Sequence, residues 1–267
     1  MFNLLFKIIT LEKILNEIIR QNYSQIENNI QTFLRKQIDN SGGFVFGLSG
    51  GIDSAVIAYM CSKSFKKNSI ALIMPDSKIS PKEETEDALR IVDNLGIDYK
   101  LIDINMIHTQ FANILEPDQR ALGNLRARIR ANLLYYYANL RKYLVLGSSD
   151  KSEFLIGYFT KFGDGAADIL PISSLYKTQV RHLAKHLQVN ESIISKKSSP
   201  HLWSGHLAED EIGASYEEID CILYCLLEKK MSLEEINQET SISNEKILKI
   251  QQLYKNSEHK RIIHKGL

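Results

Sequence analysis

The sequence predicts an α/β protein, a parallel sheet flanked by helices with helical additions at both ends. Three observations predict it. Short apolar runs of strand character alternate with longer segments of helical period, as in βαβ units. Two of those runs end in Gly/Ser-rich turns, at residues 47–54 and 147–150. The chain has 267 residues, 44% of them hydrophobic, enough to bury one large core without a metal or disulfide staple.

The elements follow in order. Leu4, Leu5, Ile8, Ile9, Leu11, Leu15, Ile18 and Ile19 recur at helical spacing, which predicts an amphipathic first helix. A second covers residues 23–38. Residues 43–48 are the first strand and 53–63 the helix after it. Residues 69–74 are a second strand, stopped by Pro75. Pro81-Lys82-Glu83-Glu84 opens a helix, with proline at its start and acids where the dipole favours them. Residues 99–104 give a third strand, 122–141 a long helix and 143–146 a fourth strand. After Lys177 the pattern is mostly helical, apart from a Ser/Gly/Pro-rich loop at 195–213. No Pro/Gly-rich linker divides the chain. It reads as one unit over 1–267: N-terminal helices at 1–40, an α/β core at 43–175 and a helical part at 176–267.

Composition excludes several classes. Lys+Arg 33 against Asp+Glu 32 gives a net charge of +1, which does not suit a wholly basic nucleic-acid binder. No apolar run reaches the roughly 18 residues of a membrane span, and no cleavage site follows the apolar start. Three cysteines, Cys61, Cys221 and Cys225, cannot form a disulfide framework, so a reducing, cytoplasmic compartment is expected.

The most informative motif is Ser49-Gly50-Gly51-Ile52-Asp53-Ser54, directly after a strand and opening a helix. Two glycines let the backbone approach an anion and expose its N–H groups. The helix dipole favours negative charge there. Ser49 and Ser54 carry hydroxyls, and Asp53 suits Mg²⁺, a hard oxygen-seeking cation. The plainer alternative is a tight turn with Ser or Asp as N-cap. No lysine follows the glycines, so this is not the GxxxxGK[ST] loop. The string resembles the pyrophosphate loop of the N-type ATP pyrophosphatases, S-G-G-x-D-S, which cleave ATP between its α and β phosphates.

Three more segments narrow the resemblance. They are Asn124-Leu125-Arg126-Ala127-Arg128-Ile129-Arg130, Leu146-Gly147-Ser148-Ser149-Asp150-Lys151-Ser152-Glu153, and residues 157–172 running on to Leu175-Tyr176-Lys177-Thr178. Together, over about residues 43–261, they resemble the ammonia-dependent NAD⁺ synthetases. The resemblance implies an adenine nucleotide alpha hydrolase-like, Rossmann-like fold. It also implies a reaction: deamido-NAD⁺ is adenylylated by ATP, ammonia displaces AMP, and NAD⁺ and pyrophosphate result. Mg²⁺ is the implied metal, and a homodimer the implied assembly.

The resemblance carries over residue by residue. Gly47, Leu48, Ser49, Gly50, Gly51, Ile52, Asp53 and Ser54 would cradle ATP phosphates. Asp53 and Glu153 would hold Mg²⁺. Ser148, Lys177 and Ser199 match further ATP contacts, and Asp53, Lys177 and Asp164 are the catalytic candidates. Arg128, Lys161, Asp168, His259 and Lys260 match positions that hold deamido-NAD⁺. Plainer readings stand beside these. Arg126 and Arg130, four apart, would form a solvated helix face, and Arg128 a buried ion pair. Lys161 would be a loop lysine, Asp168 a turn cap, Lys177 a solvated helix start, and the His259-Lys260 pair a frayed tail.

The chain departs from the family pattern in one place. Where P-[ST]-A-D-L and then G-Q-[ST]-D-E are usual, it has Ser198-Ser199-Pro200-His201-Leu202 and Gly205-His206-Leu207-Ala208-Glu209. If this loop is a lid that excludes water, its altered polar groups bear on affinity and rate.

Other constellations point elsewhere. His182 and His186 share a helix face but lack a third ligand, so surface histidines are expected. Cys221 and Cys225 read as core, and the run Tyr135-Tyr136-Tyr137 as packing. A glutaminase domain has no room beside the synthetase segment, which makes free ammonia the expected nitrogen donor. The competing functions are a tRNA-modifying ATP pyrophosphatase and a non-catalytic nucleotide-binding relative.

Overall fold

The computed structural model describes residues 2–38, 41–203 and 205–262, with side chains from residue 11 onward. Leu4, Leu5, Ile8 and Ile9, half of the expected first apolar stripe, therefore lie outside the described side chains. Helices α1 (Phe2–Ile19) and α2 (Tyr23–Ile38) precede the sheet. The strands are β1 (Phe44–Gly47), β2 (Ser69–Ile73), β3 (Asp98–Leu101) and β4 (Leu144–Leu146), all parallel, in the order β3-β2-β1-β4. Helix α3 (Ile52–Ser64) crosses from β1 to β2, and α4 (Lys82–Leu95) from β2 to β3. Helices α5 (Asn105–Ala112) and α6 (Gln119–Arg141) make the longer passage to β4.

Helices cover both faces of the sheet, so its central strands are apolar throughout and not alternating. The side chains still sort by the two-residue period. Phe44, Phe46, Ala71 and Ile73 pack with α3 on one face. Val45, Ile70, Leu72 and Val145 pack with Ile129 and Ala138 of α6 on the other. Strand β3 is the exposed edge, where Asp98 and Lys100 discourage pairing with another chain. It is shorter than the expected 99–104. Its ladder nevertheless continues, because the Ile102 and Ile104 amides donate to Ile73 O and Pro75 O at 2.9 Å each.

The rest is helical: α7 (Lys151–Ile156), α8 (Lys177–His186), α9 (Glu191–Ile194), α10 (Ala208–Ile212), α11 (Tyr216–Leu227), α12 (Leu233–Thr240), α13 (Asn244–Asn256) and α14 (Glu258–Arg261). Ile14 and Ile18 of α1 join α11, α12 and α13 in a third apolar core. Capping boxes Ser215–Glu218 and Ser232–Glu235 start α11 and α12. Helix α10 corrects the expectation of an uninterrupted loop at 195–213. Acids fill its first turn, and Gly213 stops it in the left-handed region at φ 78°. No described helix is long and apolar enough to cross a membrane.

Candidate active site

From β1 the chain builds outward to β3, then returns to place β4 on the other side of β1. The order of strands therefore reverses between β1 and β4, and a crevice opens at their carboxyl ends. A cavity of about 630 Å³ lies there, lined by the turn after β1, the turn after β4, the 157–166 segment and the altered 196–206 loop.

The turn after β1 is shaped by Gly50 at φ 86°. A Cβ there would stand 2.3 Å from the Glu84 carbonyl oxygen, so only glycine fits. Ser54 donates its hydroxyl to Gly51 O at 3.0 Å and accepts the Ser49 amide at 3.1 Å. The two serines thus brace the turn. Gly51 provides no side-chain cap, so the first amides of α3 stay open to an incoming anion.

At the centre is Lys177, the first residue of α8 and fully buried. A cation at a helix N-terminus opposes the dipole, and a buried one is costly unless paired. Three carboxylates pair it: Asp53 at 2.7 Å, Asp150 at 2.6 Å and Glu153 at 2.8 Å. Tyr216 donates its hydroxyl to the same Glu153 oxygen at 3.0 Å. Burial alone would lower the ammonium's pKa, but Asp150, Asp53 and Glu153 outweigh it and hold Lys177 well above its usual value. Burial, opposed by Lys177 and aided by the neighbouring carboxylates, pushes Asp150 up to about 6 and Glu153 up to about 8.

The carboxylates suit a metal. Oxygens of Asp53, Asp150 and Glu153 lie within 4.8 Å of one another. With all three ionised, one lysine leaves two negative charges uncompensated. Asp53 Oδ1 is buried without a hydrogen-bond partner. A divalent hard cation meets both requirements at once.

Asp150 stands in the sequence only within the 146–153 motif, with no role assigned; its first structural part is that of N-cap of α7. As the cap it accepts the Glu153 amide at 2.8 Å on Oδ1 while Oδ2 faces Lys177. The signal was a D-x-x-E pair directly after a strand.

The predicted residues fall into groups. Gly47, Leu48, Ser49, Ile52, Asp53, Ser54, Ser148, Glu153, Asp164, Ser199 and Lys260 line the cavity. Lys177 sits behind Asp53 and Glu153. Asp164 opens to the cavity and accepts the Thr160 amide at 2.9 Å, and its crowded surroundings raise its carboxyl above the usual range. Arg128, Lys161, His259 and Lys260 form one linked group. The Arg128 guanidinium donates to Lys161 O at 3.3 Å, and Lys161 Nζ to His259 O at 2.7 Å. Lys260 Nζ caps Gly157 O and Phe159 O at 2.7 and 2.8 Å. Asp168 stands apart, accepting the Val145 amide at 2.8 Å and the Tyr135 hydroxyl at 3.3 Å.

Several plainer readings are corrected. Arg126 is no solvated residue: its Nε lies 2.7 Å from Asp76, which is buried. Arg130 donates to Met74 O at 2.9 Å and lines the cavity. Arg128 is exposed and makes no ion pair among the described residues, and Lys177 is not solvated. The His259-Lys260 pair belongs to α14 and is pinned. His182 stacks on Tyr23, and His186 meets Glu27 at 2.9 Å. Cys221 and Cys225 are core, as expected.

The altered loop is tied down by its own substitutions. His201 reaches Glu84 at 2.7 Å. His206 reaches Glu211 at 2.7 Å, stacks on Trp203 at 3.6 Å, and lies 3.2 Å from the Tyr158 hydroxyl. The Ser199 hydroxyl donates to His206 O.

A polyphosphate-handling α/β enzyme is the class that this fold and site define. The chain matches the NAD synthase family over residues 24–263, and it belongs to that family. It is 48% identical over 252 residues to the NH(3)-dependent NAD(+) synthetase of Hyperthermus butylicus, covering 92% of this chain and 91% of the relative. Among solved structures, the NMN synthetase of Francisella tularensis superposes with a TM-score of 0.81 at 34% identity, covering 92% and 99%. The NH3-dependent NAD synthetase of Campylobacter jejuni does so with a TM-score of 0.79 at 35% identity, covering 92% and 100%.

Proposed function

We propose that this chain is a ligase that amidates deamido-NAD⁺ with free ammonia at the expense of ATP. The observation that carries this is the buried Lys177 held by Asp53, Asp150 and Glu153 beside the Ser49–Ser54 turn, in a chain of the NAD synthase family. A carboxylate is a poor electrophile, so the nicotinate oxygen first attacks the α-phosphate of ATP and expels pyrophosphate. Ammonia then adds to the acyl carbon, AMP leaves, and one proton is lost. The enzyme's task is to align two anionic nucleotides and to neutralise charge as pyrophosphate departs.

The turn amides from Gly47 to Ser54 receive the leaving phosphates, and Lys177 faces the same charge across Asp53. Asp53 and Glu153, with Asp150, would hold Mg²⁺, which when bound withdraws negative charge from the phosphates. Ser148 and Ser199, which line the cavity, would contact ATP. Arg128, Lys161, His259 and Lys260 receive the acceptor, and Asp168 stands near them through the hydroxyl of Tyr135, two turns along α6 from Arg128. Asp164, held by the Thr160 amide, faces the space where ammonia approaches.

We assign the molecule to the cytoplasm, which its three buried free thiols support. We also propose a homodimer. Met106, Phe111, Ile114 and Leu115 on and just after α5, and Tyr136 and Leu140 on α6, are exposed apolar side chains that a second copy would cover.

The test is turnover of ATP, Mg²⁺, deamido-NAD⁺ and ammonium by the purified protein, with nicotinate mononucleotide as the rival acceptor. NAD⁺ and pyrophosphate formed one for one, and lost in Asp53→Ala, are the expected result. Faster turnover of the mononucleotide would reassign the acceptor, and ATP binding without product would leave a non-catalytic relative.

A further inference from the structure

Asp220 lies on α11, fully buried, and touches neither Lys177 Nζ nor the three carboxylates. Its carboxylate is nevertheless fully engaged. Oδ1 accepts the Ser152 hydroxyl at 2.5 Å. Oδ2 accepts the Thr178 amide at 2.8 Å and the Thr178 hydroxyl at 2.7 Å. The Ser152 hydroxyl in turn accepts the Lys177 amide at 2.9 Å. Both partners sit next to the charged centre, because Ser152 precedes Glu153 on α7 and Thr178 follows Lys177 on α8. Helix α8 needs such a partner. Its own N-cap, Tyr176, brings no short oxygen side chain to its first amides. Asp220 therefore supplies from a third helix what a local Ser or Asp would supply. One turn earlier on α11, Tyr216 contacts Glu153 directly. This one helix face thus steadies both ends of the Lys177–Glu153 pair.

A carboxylate so deep in the protein is expensive, and burial raises its pKa to about 6 despite three hydrogen bonds. Packing alone would be served as well by an apolar residue. We propose that Asp220 is a positioning residue of the pyrophosphate site: it clamps the start of α8 to α7, and so fixes Lys177 against Glu153. This rests on the functional reading of Lys177 given above.

The test compares wild type with Asp220→Asn, well below the variant's melting midpoint. The substitution keeps the shape but leaves one acceptor oxygen where there were two, so the side chain can accept from Thr178 or from the Ser152 hydroxyl but not from both. Expected is a kcat about 10- to 100-fold lower, the usual effect of losing the group that orients a site residue. The KM for ammonium should stay unchanged. ATP affinity, read by calorimetry, should weaken in the same variant. That weakening should disappear when Lys177 is already alanine. A merely structural role would lower ATP affinity equally in both backgrounds, or lower only the melting midpoint, and either result overturns the proposal. If Asp220→Asn fails to fold, Ser152→Ala and Thr178→Val each remove one partner. Unchanged kcat in both also overturns it. A wild type that releases no pyrophosphate refutes the functional reading instead, as does a Lys177→Ala variant that retains full activity.

Discussion

At Lys177 a single ammonium answers three carboxylates, and the consequences can be measured. Removing it strands those carboxylates in the interior. Lys177→Met should therefore cost about 3–5 kcal/mol of stability, visible as a lower melting midpoint in metal-free buffer, and should abolish turnover. The same centre sets a pH dependence. Without a metal, burial and the neighbouring carboxylates push Glu153 up to about 8, against an ordinary value of 4.5. Asp53, Asp150, Lys177 and Tyr216 all face it. Because the unfolded chain loses the Glu153 proton first, the free energy of unfolding falls as pH rises from about 4.5 to about 8. A bound cation takes the proton's place. Mg²⁺ should therefore raise the melting midpoint more at pH 8 than at pH 6 in differential scanning calorimetry. Equal gains at both pH values would contradict this reading.

Among the elements, the altered loop is the most informative. His206 stands where the family usually has glutamine, and it keeps a polar contact to Glu211. A glutamine amide can donate to the same carboxylate. His206→Gln should hold KM for ATP within a few-fold, whereas His206→Leu should raise it about 10-fold through loss of a hydrogen bond to a charged group. His206 thus latches this loop to α10 through Glu211. Helix α14 latches the opposite wall. Arg261 reaches Leu155 O at 2.6 Å, while Gly157, at φ 68°, passes so close to Ser257 that a Cβ would stand 2.1 Å from its Cβ. Gly157→Ala should therefore push α14 away. The expected signs are faster proteolysis of the C-terminal residues and a higher KM for deamido-NAD⁺.

At the scale of the whole molecule, the exposed apolar side chains around α5 and on α6 bear on assembly. Ile114 is 80% and Leu140 62% exposed, so charging them leaves the fold of one copy intact. Light scattering should report a dimer for the wild type and a monomer for Ile114→Glu/Leu140→Glu. A variant that stays dimeric would place the interface elsewhere.

The sequence by itself determined the four strands, their parallel sense and the glycine turn, because these depend on local signals. Gly50 and the apolar runs each act within a few residues of chain. It missed α5, whose eight residues carry no side-chain N-cap, and it read α10 as loop. It could not say that Arg126 would find Asp76, 50 residues away, or that Arg130 would face the cavity and not the solvent. Only the tertiary structure decided which two strands flank the site, since strand order is set by how crossovers pack and not by any strand's own residues. It also decided that one lysine, 124 residues from Asp53 in the chain, would be buried among three carboxylates. A charge is placed in the interior only where distant partners compensate it. Those partners are defined by packing, so no local pattern in the sequence announces them.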